Sequence, residues 1–220
     1  AGVHVSPNFS QWLNRYKPSF TSVFTPLGIN RKELKPEYIA IYNEEPEQIN
    51  LFYGGTLTLQ FDILPVIEAV LISKRNIKIT LAGDGGTGER FKSIINFLEE
   101  NNIDFINLGI LAKDDFLYHL GKSDVAIMPM ISGGLPKKFY DAIGCFKPIL
   151  CLGKGGVYEE VVKFDLGWVS SFDKHEISKT LSQINKSSLK NKIENIKLSQ
   201  ERYLEKNSIK IIYTQLQKIY

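Results

Sequence analysis

Two stretches of this sequence carry residue types that do chemistry with anions. The first, SGGLPKKFYDAIGCFKPIL (132–150), leads from Ser132, Gly133 and Gly134 through Leu135 and Pro136 into a helical pattern holding Lys137, Lys138 and Asp141. Glycines at a strand-to-helix turn leave backbone N–H groups unhindered, and Pro136 suits the first helical position, where no N–H is needed. Backed by the positive end of a helix dipole, the N–H groups of Gly133, Gly134 and Leu135 make a seat for phosphate. Lysines in a first helical turn oppose that dipole and are compensated when an anion arrives. Asp141 follows Lys137 by four residues and Lys138 by three, so either lysine can share its face. A nucleotide would use every part: phosphate on the amides and a lysine, ribose hydroxyls on the carboxylate. A solvated helix start with one i,i+3 ion pair accounts for the same residues equally well.

The second stretch, LAGDGGTGERF (81–91), spells G-x-G-x-x-G with Gly83, Gly85 and Gly88. A dinucleotide fingerprint also needs an acid ending the next strand to hold a ribose diol. That strand ends Asn107-Leu108-Gly109, and its acid, Asp104, stands at the other end. A tight strand-to-helix turn, where glycine adopts positive φ at no steric cost, is the better reading. A turn at the carboxyl end of a parallel strand still lies where open α/β sheets bind ligands, which keeps Asp84 as a ligand contact.

Composition excludes several classes. The chain has 220 residues, 43% hydrophobic and 23% charged, with net charge +3. So mild a basic balance excludes the dense cationic stripe of a nucleic-acid binder. Cys145 and Cys151 make neither a disulfide framework nor a metal-ligand set and read as small core residues. No metal cluster or cofactor motif is visible. No apolar run approaches the roughly 18 residues of a membrane span, and no signal-peptide pattern opens the chain. The expected location is therefore cytoplasmic.

The elements that must position these residues alternate. Strands are predicted at 49–55, 77–83, 104–109, 124–130, 147–153 and 167–171, and helices at 61–74, 89–100, 114–123, 136–145, 156–164 and 174–184. In the first helix Ile63, Val66, Ile67, Val70 and Leu71 share a face. Strands DVAIMPM and KPILCLG are almost wholly apolar, as a parallel sheet buried on both faces requires. This is an α/β, Rossmann-like fold with helices on both faces. The tail, 187–220, reads as helix with a break at Asn207-Ser208. Before the first strand, residues 4–30 suggest strand, helix and strand, and KPEYIAIYNEEPEQ (35–48) an exposed loop.

In their order and spacing these segments resemble the C-terminal, donor-binding domain of GT-B glycosyltransferases of the family 4 type. VFTPLGIN resembles that family's passage into the domain, LFYGGTL its first strand and glycine loop, and LAGDGGTGERF its "AGdGp" turn. LGILAKDDFLYHLGKSDVAIMPM, GLPKKFYDAIGCFKPIL and ERYLEKNSIKIIYTQLQKIY resemble its later motifs. The likeness covers residues 23–220, leaving 1–22 as a remnant of the inter-domain junction. It implies that Asp141 holds the donor ribose, that Gly133, Gly134 and Leu135 seat the diphosphate, and that Lys138 neutralises it. Backbone at Ile110 and Leu111 would frame the base, and Gly55 and Thr56 would face the phosphates. The substrate implied is a UDP- or GDP-linked hexose, with no further cofactor. Its acceptor, a glycan or lipid-linked sugar, would be held by an N-terminal domain for which there is no room before residue 23.

Two departures stand out. Gly133 occupies the place of the first acid of the family's Glu-x7-Glu signature, and TLTLQFD lacks the usual basic pair after the first strand. No catalytic residue is identifiable. The chain by itself is expected to bind nucleotide and transfer nothing, and the full-length protein to associate with the inner membrane face. A nucleotide-sugar 2-epimerase of the same fold, and a non-catalytic nucleotide- or sugar-binding module, are the alternatives.

Overall fold

The computed structural model describes residues 2–4, 13–17, 22–25, 27–35, 38, 47–57, 61–83, 88–130 and 133–217. Near the start, β1 (Gly2–His4) and β2 (Ser22–Phe24) pair in parallel, with residues 13–16 helical between them. β2 spans the expected boundary between residues 22 and 23.

Then strands and helices alternate: β3 (Ile49–Gly54), α1 (Leu64–Ile72), β4 (Ile77–Ala82), α2 (Glu89–Glu100), β5 (Phe105–Asn107), α3 (Lys113–Lys122), β6 (Val125–Met130), α4 (Lys137–Gly144), β7 (Ile149–Gly153), α5 (Gly156–Phe164), β8 (Gly167–Ser170) and α6 (Lys174–Ser182). Two further helices, α7 (Lys186–Gln200) and α8 (Glu205–Leu216), are joined by a 3₁₀ turn, Glu201–Tyr203. Six strands form one wholly parallel sheet in the order β5-β4-β3-β6-β7-β8. The α/β, Rossmann-like expectation therefore holds.

The period of two along each strand divides the core. Leu51, Tyr53, Ile127, Leu150 and Leu152 face a layer that includes Val66 and Ile67 of α1, Leu98 of α2 and Ile177 of α6. Phe52, Ala126, Met128, Ile149 and Cys151 face the other, with Leu117 of α3, Phe139 of α4 and Val161 of α5. Strand order reverses between β3 and β6. This is the switch point at which connections leave in opposite directions and a crevice opens outside the strand carboxyl ends.

Three expectations need correction. Leu71 is 42% exposed, and Ala69 takes its place in the buried face of α1. The tail breaks at 201–204, and α8 runs unbroken through Asn207 and Ser208. The break is set by tertiary pairing: Leu204 bridges to Ile29, and Tyr203 packs its ring 5.3 Å from that of Phe139. In the expected exposed loop Tyr38 is buried, its carbonyl packed so close to Gly121 that a Cβ there would stand 2.3 Å away.

Candidate nucleotide site at the switch point

Glycine turns follow the carboxyl ends of the strands and hold one another. The Gly55 N–H donates to Ala82 O at 2.8 Å, and the Gly83 N–H to Gly109 O at 2.7 Å. Gly83 has φ +136°, and a Cβ on it would lie 2.4 Å from Gly55 O. The first glycine of the G-x-G-x-x-G thus lets two turns touch. Asp84, together with Gly85, lies outside the described residues. Gly55 and Thr56 are exposed beside the crevice, with the Thr56 carbonyl fixed by the Tyr53 hydroxyl at 2.6 Å. Ile110 is 78% exposed and Leu111 half-buried, on the turn between β5 and α3.

Across the crevice, α4 begins one residue later than the proline suggested. Pro136 is its N-cap, with an extended ψ of 162°, and no side chain caps the helix. The Phe139 N–H turns back to Pro136 O at 3.0 Å. Among the described residues, the backbone N–H groups of Gly133, Gly134, Leu135, Lys137 and Lys138 have no hydrogen-bond partner. The Gly133 carbonyl accepts from the Gly156 N–H at 2.9 Å, which joins this loop to the start of α5. The structure therefore brings Gly133, Gly134 and Leu135 together as one set of free donors at a helix start, the arrangement that attracts anions.

The two adjacent lysines part company. Lys137 turns back, donating to Gly28 O at 3.2 Å and lying 3.9 Å from Asp141. Lys138 turns inward over β3, its Nζ 4.8 Å from the ring centroids of both Tyr53 and Phe61. Its ammonium has no hydrogen-bond or ion-pair partner among the described residues. Burial pushes its pKa down to about 8. Ring faces attract a cation but do not replace its water, so the described surroundings of Lys138 leave its charge uncompensated.

Asp141 has a nearly buried side chain, 10% exposed, and its Oδ1 accepts from Lys113 Nζ at 2.7 Å. The i,i+3 partner Lys138 is not the one it takes. Sequence reasoning missed Lys113, because a pairing across 28 residues leaves no local spacing signal. It also missed Lys147, fully buried under the sheet, where its ammonium donates to Ser123 O at 2.9 Å. Burial lowers its pKa to about 8, with the charge of Asp124 opposing. Cys145 and Cys151 are buried thiols, both pushed up to about 12 by desolvation.

The crevice floor beside Lys138 is narrow, about 10 Å³ among Phe52, Gly54, Phe116 and Met128. Two roomier hollows, about 370 and 270 Å³, lie along α8. In the second, Arg31 and Lys206 are already paired with Glu201. Among the described residues, an unpaired lysine and unpartnered backbone donors belong to the same helix start after β6, and that chemistry outweighs volume in choosing the candidate site. Among the described residues there is no group of three His, Cys, Asp or Glu able to hold a metal ion, and no helix is long and apolar enough to cross a membrane.

The fold agrees with that of known proteins. An uncharacterized glycosyltransferase of Methanocaldococcus jannaschii is 29% identical over 137 residues, 61% of this chain and 35% of that protein. Among solved structures, sucrose-phosphate synthase from Thermosynechococcus elongatus superposes with a TM-score of 0.76 at 17% identity, over 99% of this chain and 58% of that one. The Anabaena protein HepE, solved in complex with UDP and glucose, superposes with a TM-score of 0.78 at 14% identity, over 98% and 62%. The chain thus spans about a third of the curated relative and about three fifths of these two solved chains. Residues 35–204 match the sequence model of the family described as glycosyl transferases group 1. With the switch-point crevice and the order of its motifs, that match settles the family: the chain belongs to the group 1 glycosyl transferases, as the part that resembles their donor-binding half.

Proposed function

We propose that this domain binds a nucleotide-sugar, UDP- or GDP-linked, and presents a hexose for transfer to a glycan or lipid-linked acceptor held by another part of the enzyme. The observation that carries the reading is the start of α4, where Lys138, a desolvated ammonium with no counter-ion among the described residues, follows the amides of Gly133, Gly134 and Leu135, which take no partner among the described residues. A diphosphate supplies what both lack. As the bond to the sugar breaks, negative charge grows on the leaving diphosphate, and fixed donors aimed at that charge lower the barrier. Asp141 would take the ribose diol and the backbone at Ile110 and Leu111 the base, Gly55 and Thr56 would face the phosphates, and Asp84 would be a further ligand contact. The solved complexes of HepE with UDP and with UDP-glucose support a nucleotide-sugar as the ligand class. Transfer with retention, work at the cytoplasmic membrane face, and dependence of activity on an N-terminal domain complete the proposal. Gly133 brings no carboxylate to the sugar, so that contact falls to other groups.

Calorimetry of UDP, GDP and ADP against the chain tests the proposal. At least one should bind, and Asp141→Ala should weaken it roughly tenfold without unfolding the domain. A folded sample that binds none of the three at millimolar ligand would sink the reading and favour a non-catalytic module.

A further inference from the structure

The two oxygens of Asp141 are unequal. Both cations near the carboxylate address the same atom: Lys113 Nζ lies 2.7 Å from Oδ1 and Lys137 Nζ 3.9 Å from Oδ1. Oδ2 takes no hydrogen bond from the described residues. Yet it is absent from the polar atoms that are both sealed from solvent and unsatisfied, which are Thr25 Oγ1, Arg90 Nε and Ser170 Oγ. Oδ2 is therefore not sealed from solvent, although the residue as a whole is nearly buried. Lys113 is the first residue of α3, two positions after the exposed turn at Ile110 and Leu111. It thus links the turn assigned to the base with the acid assigned to the ribose.

We infer that Lys113 is a positioning residue for ribose recognition. It occupies Oδ1, fixes the carboxylate plane, and leaves Oδ2 facing outward to accept from a ribose hydroxyl. The inference rests on the proposed role of Asp141. A carboxylate free to rotate inside a narrow slot would lose orientation entropy on each binding event, and an ion-paired one has already lost it. Lys113 lies within reach because α3 and α4 pack side by side with their N-terminal ends both toward the strand carboxyl edge. Lys137 is poorly placed to substitute, since its ammonium is held by Gly28 O.

A purely structural ion pair between α3 and α4 would give a different signature, and ligand discrimination separates the two. Wild type, Lys113→Met and Lys113→Arg are titrated calorimetrically with the nucleoside diphosphate that binds, its 2′-deoxy form, and inorganic pyrophosphate, with a thermal melt of each protein. Wild type should prefer the ribose over the deoxyribose ligand by roughly tenfold, the worth of one charge-assisted hydrogen bond. Lys113→Met should erase that preference while pyrophosphate affinity stays unchanged, and Lys113→Arg should restore most of it. Equal losses for all three ligands, or a preference that survives Lys113→Met, would overturn the role of Lys113 and leave the nucleotide site standing. Failure of wild type to bind any nucleoside diphosphate would overturn the site and this role together.

Discussion

Lys138 costs stability in the folded chain, and the role proposed for it depends on the same charge. Its pKa falls from 10.5 to about 8 because burial disfavours the ammonium. The unfolded chain holds that proton up to about pH 10.5 and the folded chain only to about 8, so between these values the unfolded state binds more protons. Stability contributed by this group therefore rises with pH across that window, as linkage requires. Anion binding runs the other way: above about pH 8 the empty site loses its proton, and affinity for a diphosphate should fall. Lys138→Met should raise the unfolding free energy at pH 7 by roughly 1–3 kcal/mol, flatten the rise between pH 8 and 10.5, and weaken nucleotide binding at least roughly tenfold. Chemical denaturation and calorimetry across pH check all three. This lysine was legible in the sequence, since its place after Gly133-Gly134-Leu135-Pro136 marks a helix start. Lys113 and Lys147 were not, because their partners, Asp141 and the Ser123 carbonyl, are brought to them only by the packing of helices on the sheet.

At the level of elements, the turns matter more than the strands they end. Gly83 lets the turn after β4 touch the turn after β3, and a side chain there meets backbone on one side at a φ that L-residues rarely adopt. Gly83→Ala should cost roughly 2–3 kcal/mol, read as an earlier urea midpoint at unchanged slope. Strand positions could be read from β6 and β7, whose continuous apolar runs admit few other fates, and α2 and α5 keep the bounds that periodicity suggested. Boundaries set by distant partners were not readable. The turn at Glu201–Tyr203 owes its place to Ile29 and Phe139, and nothing within the tail marks it. The ring of Leu71 neighbours looked like one face because two helical faces blur when nearly every residue is apolar.

Over the whole molecule, the described part of α8 contributes little beyond its first turn. Ile209 and Tyr213 are each more than half exposed, and Ile211 is exposed as well. A chain ended after Ser208 should melt within about 3 °C of the parent, followed by circular dichroism, because the large apolar side chains described beyond it, Ile209, Ile211 and Tyr213, are exposed and neither apolar layer of the sheet draws on them. The sheet and its two apolar layers would be untouched.

The stitching at Ile29 has a mechanical consequence. Its N–H bonds to Tyr203 O at 2.8 Å and its carbonyl receives the Glu205 N–H at 3.1 Å, while Gly28 lies so tightly on the Glu205 backbone that a Cβ would stand 2.3 Å from Glu205 Cα. The polypeptide therefore enters and leaves the six-stranded body through a single doorway. A pull on residue 28 therefore reaches residue 205 through the backbone bonds at Ile29 before it loads any strand of that body.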